Sequence, residues 1–296
     1  SSAFGAEYDN PLSGVLSFEQ RSGNPNRFGG NFRLGASEAA LTLEGPLFRK
    51  DKEKPAKTTL LFSVRRSYLQ FLFELIGLPI RPDYWDFQWK VNHEIDAYNT
   101  LTFLGLGTID DFSVKAPDDF DAEQQATIEQ VPIIEQKTIT VGVSWNRKYK
   151  NGKGAMTTAI STNRLQNIFS RYRDNTQKTG IIFKNDSYEQ ETKLRYQTLH
   201  YLDEWKLAAG TNIQYADYFN DTQSILYNIN YSTGIGFLKY GFFAKGERNF
   251  FNYNLGLSFG FRFDADTFSE GSSLMDNFSP RLSLTYNLTE DQTWKM

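Results

Sequence analysis

Alternation with a period of two dominates the chain. From Asn252 to Asp264 the odd positions are Tyr253, Leu255, Leu257, Phe259, Phe261 and Phe263, and every position between them is Asn, Gly, Ser, Arg or Asp. Such a run is a β-strand with one apolar and one polar face. Ile139, Val141, Val143 and Trp145 repeat the pattern between Thr138 and Asn146. Trp85, Phe87, Trp89 and Val91 repeat it against Asp86, Gln88 and Lys90, and Leu282, Leu284 and Tyr286 against Arg281, Ser283 and Thr285. Weaker copies occupy residues 31–36, 40–45, 59–65, 100–107, 155–162, 192–201, 206–216 and 237–245. The expected total is about a dozen strands. One segment keeps another rhythm: Leu69, Leu72, Phe73 and Ile76 fall at i, i+3, i+4 and i+7. That spacing predicts a helix within Tyr68–Ile80, too short to cross a bilayer.

The connectors alternate as well. Short turns are expected at residues 95–97, 150–154, 202–204 and 289–292, and long connections at 67–83, 109–135, 166–191, 217–236 and 265–280. The tight bend at Ser37 and the charged stretch from Phe48 to Lys57 depart from the rule. An antiparallel meander with short turns on one side and long loops on the other is the layout of a transmembrane β-barrel. Strands of about 9 to 11 residues then match a tilted bilayer span. The fold class read from the pattern is therefore all-β, a transmembrane antiparallel barrel. A soluble sandwich also alternates, but Leu, Val and Ile usually dominate its inner faces. Here the apolar face leans on aromatics, and the polar face carries Gly, Ser, Thr, Asn, Gln and Lys. No fixed repeat supports a propeller.

Composition sharpens this reading. Aromatics make up 16% of the chain, yet hydrophobic residues total only 40%, and the mean hydropathy is negative. Disordered chains are poor in aromatics, so disorder is excluded. With no Cys, disulfide scaffolds and thiolate metal sites are excluded too. No run of about 20 apolar residues exists for a helical span. The net charge of −3 gives no basic field to draw nucleic acid.

Three segments carry a family resemblance. Ala3–Gly23 contains Glu7–Tyr8–Asp9, then Gly14–Val15–Leu16 and a polar stretch through Glu19 and Arg21 to Gly23. It resembles the end of the plug of TonB-dependent outer-membrane receptors, with Asp9 where the family usually has Gly. Residues 237–244 followed by 255–264 resemble the family's "Tyr-Gly-x-Phe … Leu-Gly-x-Arg-x-Asp" pair of barrel strands. Ser279–Pro280–Arg281 resembles its "Ser-Pro-Arg" strand after a long outer loop. The style is most similar to receptors of Bacteroidetes-type bacteria.

The resemblance implies a plug end over residues 1–24 and the first part of the barrel over 25–296, an internal piece of a receptor with about 22 strands. It implies no enzymatic step, a place in the bacterial outer membrane, and transport of a nutrient ligand bound by outer loops and plug. The partners it implies are outer-membrane lipid, TonB acting through a segment outside this chain, the unknown nutrient and a surface lipoprotein, with no nucleic acid among them. A secreted β-sandwich binding module and a passive porin or adhesin barrel are the competing functions.

Candidate site residues follow from that frame. The plug strand is expected to include Glu7, Tyr8, Gly14, Val15, Glu19 and Arg21. Arg65, Arg66, Tyr68, Tyr84, Trp85, Asp110 and Asp111 are expected in outer loops as ligand contacts, with pairing of Arg65 and Arg66 to Asp83 and Asp86 as the plainer alternative. Lys90, Lys206, Lys239, Lys245 and Arg262 fall on the polar, lumen-facing side. Trp89, Val141, Trp145, Leu255, Leu257, Phe259, Phe261, Leu284 and Tyr286 fall on the lipid-facing side. No cofactor is expected. Asp110, Asp111, Asp118, Asp119, Asp121 and Glu123 offer oxygen ligands for Ca²⁺, but without EF-hand spacing a solvated acidic loop is the simpler reading. His93 and His200 lack any nucleophile motif and read as surface or interfacial residues.

Overall fold

The computed structural model describes residues 5–9, 15–49, 51, 53–115, 128–252, 254–289 and 292–295. Among them, thirteen strands form one sheet in which each strand pairs with its sequence neighbour. They are β1 (Gly29–Leu34), β2 (Glu38–Leu47), β3 (Thr58–Ser67), β4 (Ile80–Glu94), β5 (Asn99–Val114), β6 (Ile133–Lys148) and β7 (Gly154–Asp174). The rest are β8 (Thr179–Leu202), β9 (Trp205–Ser224), β10 (Ile229–Phe250), β11 (Leu255–Asp266), β12 (Phe278–Thr289) and β13 (Gln292–Lys295). A helix, α1 (Leu69–Leu75), lies between β3 and β4. Every pairing is antiparallel, and no second sheet covers the apolar face among the described residues. That arrangement corrects the sandwich alternative.

Register decides what each face carries. Lys206 pairs with Glu247, Lys239 with Gln214, and Arg262 with Phe243, so these side chains share one face. Residues 5–9 and 20–23 contact that same face, which is called inner below. The outer face carries Trp89, Val141, Trp145, Leu255, Leu257, Phe259, Phe261, Leu284 and Tyr286, one position out of phase. Val141, Phe259, Phe261, Leu284 and Tyr286 are all exposed there, so the apolar surface of this sheet is turned outward. Aromatic rings also cover glycines on this face. Trp89 lies over Gly105 and Phe87 over Gly107, and a Cβ at either glycine would overlap the ring.

The strands are longer than the sequence predicts. β7 to β10 run 21, 24, 20 and 22 residues. The expected long connections at 166–191 and 217–236 are instead continuations of hairpins, closed over residues 175–178 and 225–228. The physical reason lies in the solvent. Where both faces of a strand meet water, hydrophobic alternation stops while the backbone ladder continues. At the first of these turns, Asp174 Oδ1 accepts from the backbone N–H of Thr176 and Gln177 at 2.9 Å each. The β10–β11 turn corrects the run read from Asn252. Phe251 and Asn252 both have positive φ, 53° and 52°, as a tight hairpin turn requires. Tyr253 lies outside the described residues.

The helix is shorter than the span 68–80 and buries none of its residues. Of its apolar stripe, Leu69 and Phe73 are half-buried and Ile76 is well exposed, as are Phe71 and Leu75 outside the stripe. Polar contacts fix its C-terminal side. Lys115 pairs with Glu74 at 2.9 Å, and buried Arg81 donates to the carbonyls of Leu78 and Ile80.

Candidate functional site

The inner face is a field of polar side chains crossed by the N-terminal segment. Residues 5–9 and 15–24 form no strand among the described residues, which corrects the expected plug strand. The segment has no ladder partner, and side chains reaching from the sheet hold it. At one end, Arg21 forms a bidentate pair with Glu44 on β2, Lys90 on β4 donates to the Gln20 carbonyl, and Asn92 Nδ2 donates to Ser22 Oγ at 2.7 Å. At the other end, Lys245 Nζ on β10 lies 2.7 Å from Glu7 Oε1. Arg262 Nη1 on β11 donates to the Ala6 carbonyl at 3.4 Å, and Arg281 Nη1 on β12 donates to the Gly5 carbonyl at 2.6 Å. Three cations from three successive strands thus converge on Gly5–Glu7. Twelve residues (8 to 19) separate the two anchorages, a contour of up to about 45 Å when extended.

The second anchorage is a largely buried polar cluster. Lys245 also reaches Glu247 Oε1 at 2.9 Å, and Lys206 reaches Glu247 Oε2 at 3.0 Å. Arg262, only 1% exposed, is saturated by a fork onto Asp264 at 2.6 and 2.7 Å. Ala6 is buried against this cluster. Burial of so many charges is tolerable because they are paired and hydrogen-bonded to one another. Beside it lies a cavity of about 740 Å³ between Glu7, Tyr8, Asp9 and strands β7–β11, with Lys193, Arg195, Lys239 and Asp264 among its lining.

The remaining expected residues are placed as follows. Val15 and Glu19 are exposed, and Gly14 lies outside the described residues. Arg65, Arg66, Tyr84, Trp85, Asp110 and Asp111 stand on the ends of β3, β4 and β5 rather than in loops; only Tyr68 is in a connection. Register also divides them. Arg65, Tyr84 and Asp110 project inward, whereas Arg66, Trp85 and Asp111 project outward. They therefore make two clusters on opposite faces and not one ligand site. Arg65 pairs with Asp86 at 2.6 Å and Glu38 at 3.2 Å and sits over the Tyr84 ring; Arg66 pairs with Asp83 at 2.6 Å and stacks on Trp85. The outward pair is a strand-end clamp.

Opposite facing also keeps Asp110 and Asp111 from sharing a cation, and Asp118, Asp119, Asp121 and Glu123 lie outside the described residues. No group of three metal-ligating side chains occurs among the described residues. His93 Nδ1 meets Thr58 Oγ1 at 2.8 Å, and His200 stacks on Tyr149 at 5.0 Å, both at the short-turn ends of strands.

Sequence reasoning missed Glu44, Asn92, Glu247, Asp264 and Arg281. All occupy polar positions of the alternation, and that shared parity is the signal by which the inner face is found.

Comparison with known proteins bears on the whole sheet. A family model described as "TonB dependent receptor-like, beta-barrel" matches residues 59–296. A search of curated proteins found no match. Among solved structures, the pyoverdine outer-membrane receptor of Pseudomonas aeruginosa PAO1 is similar at a TM-score of 0.62 and 14% identity, over 89% of this chain and 44% of that one. A mutant ferric enterobactin receptor of Pseudomonas aeruginosa gives 0.60 and 14% over 90% and 42%, and a copper transporter gives 0.59 and 10% over 91% and 42%. At these low identities the structural likeness shows a shared fold alone. The chain spans about two fifths of the length of these structures.

Proposed function

The chain belongs to the TonB-dependent receptor family as part of an outer-membrane β-barrel, and we propose that it serves the energised import of a polar nutrient. In this reading the apolar outer face meets lipid, and the polar inner face lines a lumen. Residues 5–24 are the last stretch of the plug that closes it. The observation that carries the reading is the double anchorage of that segment. It is fixed to β2 and β4 at one end and to β10, β11 and β12 at the other. A segment held on both sides of a lumen obstructs it, so passage requires that the segment, or what it is joined to, be displaced. TonB supplies the work through a part of the protein outside this chain, ligand enters from the side of the long hairpins, and a surface lipoprotein is a candidate partner there. The chain binds and admits a solute; no covalent step is assigned to it.

The test uses the complete receptor. Reconstituted in a planar bilayer it is expected to be silent under voltage alone, and uptake in cells should collapse with a protonophore. Steady ohmic conductance of the untreated protein, with uptake indifferent to the protonophore, would establish a passive porin. Recovery of the protein as a compact, detergent-free monomer would overturn the barrel's place in the membrane.

A further inference from the structure

Strand parity fixes which wall of the sheet α1 rests against. Arg81 on β4 shares the outer face with Asp83, and Lys115 continues the outer positions of β5, its backbone N–H bonded to the Pro79 carbonyl at 2.8 Å. Both cations reach the helix. Lys115 Nζ lies 2.9 Å from Glu74 Oε1, and Arg81 Nη2 lies 4.0 Å from the same oxygen. Arg81 points outward yet is only 7% exposed, so the helix and the bend after it cover it from outside. At the other end, the Tyr68 hydroxyl donates to the carbonyls of Gly35 and Glu38 beside the β1–β2 bend. The helix is strapped to the outer wall and does not fold over the mouth of the lumen.

On that wall its amphipathicity is reversed. Its polar residues, Gln70 and Glu74, lie one turn apart on one side, and Glu74 is tied to the strands. Leu69 and Phe73 sit half-buried next to them. The opposite arc is Phe71, Leu72 and Leu75, extended by Ile76 at the C-cap. All four are exposed, Leu75 by 82%, and no polar residue interrupts them. A surface helix bathed in water turns its apolar arc to the protein and its charges outward. The opposite orientation is stable where the surroundings are themselves apolar.

The strands beneath the helix are short of apolar surface. Outward apolar positions number five on β11 (Leu255 to Phe263), but four on β4 (Trp85 to Val91) and three on β3 (Leu60 to Val64). Beyond these, on the side of the helix, the outward positions are Asp83 and Arg66, which pair with each other. A strand needs about 9 to 11 residues to cross the hydrocarbon layer at its usual tilt, so β3 and β4 leave the upper edge of that layer without an apolar wall. We propose that α1 supplies it, as an interfacial helix whose Phe71, Leu72, Leu75 and Ile76 dip into the lipid leaflet on the side of the long hairpins. The inference rests on the outer face meeting lipid, and it adds a lipid contact made by a connection rather than a strand. Lipid fits this arc better than a partner protein does. The arc carries on the exposed apolar surface of Trp85 and Ile109 past the closed Arg66–Asp83 pair, and it lacks the polar rim of a protein interface.

The experiment is nitroxide labelling of the complete receptor in dioleoylphosphatidylcholine vesicles. Leu75→Cys, Phe71→Cys, Phe259→Cys and Gln177→Cys are each introduced as the sole cysteine. Slower gel migration after boiling confirms that each labelled variant is folded. Electron-spin power saturation then compares collisions with oxygen, which concentrates in lipid, and with a nickel chelate, which stays in water. The oxygen-to-nickel ratio at positions 71 and 75 should exceed that at Gln177, in the β7–β8 turn, by at least about fivefold, and approach that of Phe259 on the outer wall. A ratio at 71 and 75 equal to that at 177 would place the helix in water. Low collision rates with both reagents would mean that protein covers the arc. Either result overturns the proposal while Phe259 still reports lipid. A water-like ratio at Phe259 would instead sink the lipid-facing reading of the whole outer wall, and the helix with it.

Discussion

Replacing Lys245 by Met should loosen the N-terminal segment by an amount that can be worked out beforehand. The ammonium is 12% exposed and bridges Glu7 at 2.7 Å and Glu247 at 2.9 Å. Glu7 is itself 15% exposed, and its Oε2 is buried without a hydrogen-bond partner. Removing one member of a fully buried pair costs about 3–5 kcal/mol, because it strands the other charge. Glu247 keeps Lys206, and some water reaches both carboxylates, so about 2 kcal/mol is the fair expectation here. That is roughly a 30-fold shift in the docked-to-free ratio of the segment.

The chain has no cysteine, which makes the readout clean. Ala6→Cys places one thiol at a position only 2% exposed, and its maleimide labelling rate reports how often the segment lifts. Labelling in the Lys245→Met background should rise by roughly 30-fold. Adding Glu7→Met removes the stranded charge and should restore much of the protection. If Lys245→Met labels at the parental rate, or if the double variant labels as fast as the single one, the ion pair does not hold the segment.

Other expectations are simpler. Gly105→Val puts a branched Cβ under the Trp89 indole and should cost about 1–3 kcal/mol, read as a shifted Trp emission and a lower temperature for loss of the fast gel form; an unchanged midpoint would contradict the packing. Arg66→Gln removes the Asp83 pair and the Trp85 stack and should destabilise by about 1 kcal/mol without touching solute uptake, because the side chain is on the outer face. Loss of uptake with no loss of stability would place Arg66 at a ligand after all.

Asp96, in the β4–β5 turn, accepts from the Tyr98 backbone N–H and then from the Asn99 side chain, which together hold its carboxyl below the usual range. A depressed carboxylate contributes stability above its unfolded pKa of about 4 and loses it as pH falls through the folded value. The gap in urea midpoint between the parent and Asp96→Ala should therefore be constant near neutrality and close below about pH 4; a gap independent of pH would remove the charge from the account. Leu75→Ala, on an exposed helix position, should move stability by less than about 0.5 kcal/mol in the same urea titration.

What was legible in the sequence is what the solvent dictates residue by residue. Leu255 to Phe263 show their strand and its faces because lipid on one side and water on the other alternate under the chain. The upper half of β8 was not legible for the same reason. Lys184, Asn185 and Asp186 put polar side chains on both faces, which breaks the rhythm while the ladder to β9 runs on. The lysines and Arg262 were readable as one face, but their partners were not. Nothing local tells Lys245 that it meets Glu7, because register and the path of the N-terminal segment bring them together across the sheet. Arg65 and Arg66 show the limit most plainly. Adjacent in sequence and alike in chemistry, they point to opposite faces, one at the inner surface and one at the outer.

The anchorage of Gly5–Glu7 also sets an order of events. The contacts to Lys245, Arg262 and Arg281 close across 238, 256 and 276 residues. Pairings that distant are entropically slow to find, while each hairpin of the sheet closes locally. The residues synthesised first in this stretch must therefore wait for its last strands before they have anywhere to bind. During that wait Leu16 and Phe18, still almost wholly exposed in the folded chain, are bare in the aqueous compartment. The N-terminal segment is thus the last part of the chain to be fastened, and the strands that hold it must assemble before it has a seat.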